Sequence, residues 1–395
     1  MNDKSYIPFH HPSIGQDEMD AVQRVLASGW LTTGPVALQF EKEFAAYVGC
    51  KWALAVNSGT SALQLALDAI GLRPGDEVLV PTYTFTATAE VVTYFGARPV
   101  LCDSLAGGFN IDPADVERRI TSRTRAIIPV HIAGEPCDLE ALHEIARRHR
   151  LHVIEDAAHS LPAWSHGRRI GTISEMTAFS FYATKTITTG EGGMLTTDDD
   201  GYAERARTMR LHGIGGDAWK RYSKAGSWFY EVHHAGYKLN LPDILAAVGV
   251  AQLQKVDLFW KQRCQVAARY LEKFSEVEEL ELPPAGSKGS EHSWHLFILR
   301  LKTDGINLNR DQFIAELKAL GIGTSVHFIP LHFHPYYIQE YGYKSSDFPH
   351  AVDSYSRALS LPIYPDLNEA QMNRVIESVT SLVTKNRKRV TVALS

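Results

Sequence analysis

One lysine, Lys185, stands in the run Phe179-Ser180-Phe181-Tyr182-Ala183-Thr184-Lys185, among aromatic and small hydroxyl residues, and the glycine-rich turn Gly190-Glu191-Gly192-Gly193 follows it. A lysine in a dry, fixed setting holds its proton less tightly, so it can condense with a carbonyl and move protons. Upstream, His152-Val153-Ile154-Glu155-Asp156 sets a carboxylate at the end of a short apolar run. A carboxylate there can keep a pyridinium nitrogen protonated. Ser58-Gly59-Thr60-Ser61 precedes an apolar-periodic segment, and the unpaired N–H groups of such a helix start accept a phosphate, with Gly59 allowing close approach.

Each signal also has a plainer reading. Lys185 alone is one more surface lysine, Asp156 alone a helix cap or salt-bridge partner, and a Ser-Gly-Thr cap needs no ligand. Ser180 offers a further phosphate hydroxyl if its strand ends beside that helix. His159 suits either the oxygen edge of a ring or a turn cap, and Phe85 either a ring face or plain core. Read together, the runs suit the two ends of a pyridoxal phosphate (PLP) ring, an electron sink that its nitrogen partner strengthens.

The intervening chain supplies elements to position them. Helical periodicity marks Gln16 to Leu26, Leu38 to Val48 and Ala62 to Ile70. After Trp52 to Val56, strands are expected at Glu77 to Pro81, Pro99 to Asp103, Ala126 to Val130 and His152 to Glu155. Helices are expected between them at Thr86 to Phe95, Pro113 to Ile120 and Leu139 to Arg148. That alternation predicts an α/β fold with a mostly parallel, helix-covered sheet, whose ligands bind at the carboxyl ends of the strands. Residues 213–236, rich in glycine and aromatics, read as a long ordered loop. Helices at Pro242 to Val256 and Lys261 to Glu279, an alternating run from His295 to Leu301 and a helix from Arg310 to Leu320 predict a smaller α+β domain. The expected division is 1–255 for the large domain and 256–395 for the small one.

A chain of 395 residues with 45% hydrophobic and 22% charged residues has ample core for two domains. A net charge of −5 argues against nucleic acid. The four scattered cysteines form no CxxC pair and read as reduced thiols, and no metal site is expected. The polar N-terminus and the lack of a window of ~20 apolar residues point to the cytoplasm and away from a membrane.

The ordered set of motifs resembles the DegT/DnrJ/EryC1/StrS sugar aminotransferase family, within fold-type I of the PLP enzymes. The residues that carry it are Gly29-Trp30-Leu31-Thr32-Thr33-Gly34-Pro35, Asn57 to Leu63, Pro74 to Val78 and Pro81 to Thr88. They continue through Glu155 to His159, Ser180-Phe181 with Lys185, Gly190 to Met194, Ala246-Ala247, His327 to Tyr337 and Leu361-Pro362. The resemblance implies that Lys185 forms the Schiff base and shuttles the proton, and that Asp156 pairs with the pyridine nitrogen. It places Gly59, Thr60, Ser61 and Ser180 at the phosphate, Phe85 on the ring face, and His159 where relatives often have glutamine. Gly236-Tyr237-Lys238-Leu239-Asn240 departs from the Gly-Tyr-Asn-Tyr-Arg of many relatives. The resemblance implies that either Lys238 or Asn240, with Asn240 preferred, reaches the partner's cofactor phosphate across a homodimer interface. Thr32, His327 and His332 are expected near the substrate.

The implied activity is transfer of an amino group from L-glutamate to a nucleotide-linked keto-deoxysugar, most simply a 4-keto sugar. Aminotransferases of 3-keto sugars or keto-inositols share the motifs. The 3-dehydratase branch carries histidine at the lysine position, so Lys185 argues against it. A non-catalytic PLP-binding regulator and a nucleotide-binding oxidoreductase are further alternatives. The first lacks an attached DNA-binding segment here, and the second lacks its GxGxxG.

Overall fold

The computed structural model describes residues 6–214, 229–284 and 289–388. Its centre is a seven-stranded sheet in the order Trp52–Val56, Gly193–Thr197, Met176–Ser180, His152–Asp156, Thr124–Ile127, Glu77–Pro81 and Arg98–Cys102. Six strands share one direction, and only Gly193–Thr197 runs against them. The sequence motifs therefore reach one edge by construction. Asn57-Ser58 leaves the first strand at its carboxyl end, Asp156 is the last residue of its own strand, and Ser180 ends another.

Burial on both faces explains why these strands read as continuous apolar runs rather than as clean alternation. Within Trp52–Val56, Leu54 and Val56 join one core layer while Ala53 and Ala55 join the other. Val78 and Val80 likewise face away from Leu79. Phe40, Phe44, Phe179 and Phe181 interlock beneath the second layer, with ring centroids 5.2 to 6.1 Å apart.

Helix ends are set locally. Ser58 caps Gly59–Ala69 by accepting from the Ser61 N–H, and Asp138 caps Leu139–His149 through the Ala141 N–H. The expected helix Pro242 to Val256 instead ends at Leu253, and a second helix, Val256–Phe274, starts earlier than the sequence suggested. Its first turn buries Val256 and Phe259 against the large sheet's core. Val266 to Phe274 enter a separate core with Phe297, Leu299, Phe313 and Val379. This helix thus bridges the two units. The smaller sheet, Leu280–Glu281, Phe297–Leu301 and Ala358–Leu361, is antiparallel. Ile7 packs into its core and pairs with Ile322, so this residue belongs with the second unit.

The expected loop at 213–236 falls mostly outside the described residues. Among the described residues no helix is long and apolar enough to cross a membrane.

Leu79 is fully buried between layers. Leu79→Ala is expected to lower unfolding stability by about 2–5 kcal/mol, the range for cavity-creating truncations; a denaturant titration with no shift in midpoint would contradict this placement.

Candidate active site

The carboxyl edge of the sheet opens into a cavity of about 490 Å³. Lys185 and Asp156 both line it, together with Gly59, Thr60, Phe85, His159, Ser180 and His327.

Asp156 is 6% exposed. One of its oxygens, Oδ2, accepts from Thr88 Oγ1 at 2.8 Å and the other accepts from the Ala158 N–H at 3.1 Å. Thr88 is itself held by Thr84 Oγ1 at 2.9 Å, a hydroxyl four positions earlier, just before the helix Ala87–Thr93. Burial pushes the Asp156 carboxyl up, while Thr88, Ala158 and the charge of Lys185 oppose that rise. Behind it, Glu155 faces the other way and meets His131 at 2.8 Å. The Cys137 N–H donates to His131 Nδ1, so the ring's own proton sits on Nε2 and is given to Glu155. Burial favours the neutral Glu155 carboxyl, but the hydrogen bonds from His131 and Ser174 outweigh it and hold its pKa below the usual range.

Lys185 follows a tight turn in which its N–H donates to the Tyr182 carbonyl at 2.9 Å. His10 Nε2 donates to the Ala183 carbonyl at 3.0 Å and braces that turn from the N-terminal segment. Burial pushes the Lys185 ammonium down to about 8, with Asp156 acting against it. The result is an amine that is partly neutral near neutral pH and faces a carboxylate.

The helix Gly59–Ala69 points its N-terminus into the same space. Here the glycines have a reason beyond ligand approach. A Cβ on Gly59 would lie 3.0 Å from that of Ser180, and one on Gly193 would lie 2.4 Å from the Ser58 carbonyl oxygen. Without side chains there, the helix start closes onto the strand end and brings Thr60 and Ser180 to one floor. A ring with a basic nitrogen at one end, a phosphate at the other and an aldehyde toward an amine fits this donor set.

A family model of the DegT/DnrJ/EryC1/StrS aminotransferases matches residues 12–380. The chain belongs to that family. It is 47% identical over 379 residues to the spore coat polysaccharide biosynthesis protein SpsC of Bacillus subtilis, covering 96% of this chain and 97% of that protein. The putative sugar aminotransferase Spr1654 of Streptococcus pneumoniae in its PMP form superposes with a TM-score of 0.90 at 31% identity, covering 96% of this chain and 99% of that one. Its PLP form gives 0.89. DesV of S. venezuelae, solved in complex with a ketimine intermediate, gives 0.85 at 37% identity over 94% of this chain and 95% of its own. The protein is a PLP-dependent aminotransferase of fold-type I.

Five residues singled out from sequence stand off this cavity. Ser61 is buried in the cap, where it donates to Asn57 Oδ1 at 2.6 Å and touches Ser58 Oγ at 2.8 Å, so Ser58 takes its place on the cavity wall. His332 is 2% exposed, fixed to Thr82 Oγ1 at 2.8 Å and stacked on Phe348, in the core rather than the cavity. Thr32 is exposed, its carbonyl accepting from the Asp243 N–H. Asn240 donates to Thr33 Oγ1 and accepts from Lys238 Nζ, both at 2.6 Å, so these two residues also lie off their own subunit's cavity.

The structure adds Thr88, Tyr182, Glu191 and His295 to the wall. Thr88 had a signal, its spacing of four from Thr84. His295 had none, because it enters from the small unit.

Only the neutral amine attacks a carbonyl, so PLP uptake by the apo-protein should accelerate as pH rises through about 8. In Asp156→Asn, the attraction that favours the charged amine is gone, and the midpoint should move to lower pH. Stopped-flow absorbance across a pH series measures both; an unmoved midpoint would separate Asp156 from Lys185.

Proposed function

We propose that this aminotransferase moves an amino group from L-glutamate to the keto carbon of a nucleotide-linked deoxysugar, with a 4-keto sugar as the first candidate. The observation that carries the proposal is the meeting of Lys185, Asp156 and the start of Gly59–Ala69 on one cavity, in a chain related to SpsC and Spr1654. PLP supplies the aldehyde and the electron sink when bound.

The chain's own groups do the rest. Asp156 keeps a negative charge at the ring-nitrogen end. Ser58, Thr60, Ser180 and the free N–H groups of the helix start hold the phosphate end. Phe85, 59% exposed and 5.9 Å from Phe328, offers an apolar face to the ring. His159 is neutral because burial and Lys185 push its pKa well below the usual value. Its Nδ1 accepts from the Ala133 N–H at 3.3 Å, which leaves a proton on Nε2 to donate. Lys185 Nζ, near its own midpoint at neutral pH, takes and returns protons at the reacting carbons.

The working unit is a homodimer, and the enzyme acts in the cytoplasm. Asn240, tied to Lys238, is off its own cavity and available to the partner's phosphate. The small unit, through His327, faces the sugar or the donor.

Lys185→Ala should lose the long-wavelength absorbance of bound PLP and all turnover, while retaining its fold by circular dichroism; retained turnover would sink the reading. Offering the pyridoxamine form a panel of nucleotide 4-keto sugars, 3-keto sugars and keto-inositols, with the cofactor followed optically, identifies the acceptor. Reaction with a keto-inositol alone would overturn the sugar assignment.

A further inference from the structure

Where the small unit meets the large one, the cavity wall has a charge problem that the roles given above to Lys185, His159 and His327 leave open. His159, His295 and His327 stand there with Lys185, and among the described residues Asp156 is the one buried carboxylate that shares their cavity. His295 is 4% exposed, its ring 4.4 Å from that of His159, and its Nδ1 has no hydrogen-bond partner. Immediately behind it lies Arg263, 1% exposed. Its Nη1 donates to the carbonyls of His295, Trp294 and Ile363 at 3.2, 3.4 and 2.9 Å, while Nε and Nη2 have no partner. A buried guanidinium facing carbonyls alone is costly, and burial pushes its pKa down to about 10. His327 is fixed through Nδ1 to Ser360 Oγ at 2.9 Å, so Nε2 is the nitrogen left for a ligand.

Two partly stranded cationic or imidazole groups and a fixed histidine, all on one side of Lys185, are what an arriving anion would neutralise. We propose that the His295–His327 wall, backed by the Arg263 guanidinium, seats the distal carboxylate of a dicarboxylic amino donor. This inference rests on the reading of an acidic donor made above. A nucleotide diphosphate carries the same kind of charge, but the sugar separates it from its own reacting carbon. A group that shares a cavity of about 490 Å³ with Lys185 and the cofactor must be small, which favours the carboxylate.

The charge state follows. His327 faces Lys185, His159 and His295, with Arg263 and His10 beyond, and burial together with Lys185 pushes it down to about 4. It is therefore neutral at neutral pH in the free site. An entering carboxylate favours the imidazolium, with Nδ1–H given to Ser360 and Nε2–H to the ligand. Binding then takes up a proton and weakens as pH rises.

The test uses the PLP-loaded enzyme, with glutarate and UDP as separate probes. Titration calorimetry in two buffers of different ionisation heat reports proton uptake directly. The wild type should bind glutarate with proton uptake at about pH 7. His327→Asn, which keeps a polar atom near the Nδ1 position, should lose that uptake and weaken glutarate roughly 10- to 100-fold, as expected for a lost charged hydrogen bond. His295→Gln should weaken glutarate without changing UDP. Unchanged glutarate affinity in both variants overturns the proposal, as does weakened UDP with glutarate intact, which would give the wall to the nucleotide. If wild-type enzyme releases no 2-oxoglutarate from L-glutamate while glutarate binding still depends on His295 and His327, the donor reading falls and the wall stands.

Discussion

A half-buried lysine and a buried aspartate that share one cavity are the constraint on which the rest depends. Desolvation alone would neutralise both, driving the lysine down and the aspartate up. Their mutual attraction keeps each near a useful charge. Lys185 is left close to 8, and Asp156 is held ionisable by Thr88 and the Ala158 N–H as well as by the lysine. Moving either group out of the cavity would let burial drive the other toward its neutral form.

The fold is arranged to prevent that movement. Asp156 ends a central strand flanked on both sides, and Glu155 beside it is pinned to His131 on the opposite face. Adjacent residues of one strand thus face opposite ways with their polar groups satisfied, which fixes the register of the catalytic carboxylate. Lys185 is on a turn braced from the N-terminal segment by His10. The phosphate end depends on close packing instead: Gly59 and Gly193 remove the two Cβ atoms that would hold the helix start away from the sheet.

Much of this was readable in the chain because the chemistry is tied to strand ends. A parallel sheet delivers every strand's carboxyl end to the same edge, so Ser58, Asp156 and Ser180 had to converge once the strands were recognised. The parts that did not read correctly are those set by contacts across the sequence. Ser61 and Thr60 look equivalent as hydroxyls, yet the cap turns Ser61 inward to Asn57 and Thr60 outward. His327 and His332 look like a pair, but the short helical turn at Leu331–Phe333 aims His332 at Thr82 and Phe348. Helix Val256–Phe274 began early because Val256 and Phe259 belong to the large core, a contact that periodicity does not encode.

The sequence by itself determined the chemistry: the lysine, the carboxylate, the phosphate-binding turn and the alternation that brings them together are local patterns with local physical causes. Only the tertiary structure decided the charge and the wall. Burial, which no local pattern reports, brings Lys185 down into its working range. Packing of the small unit against the large one sets His295 beside His159, with Arg263 behind it, across more than a hundred positions of chain.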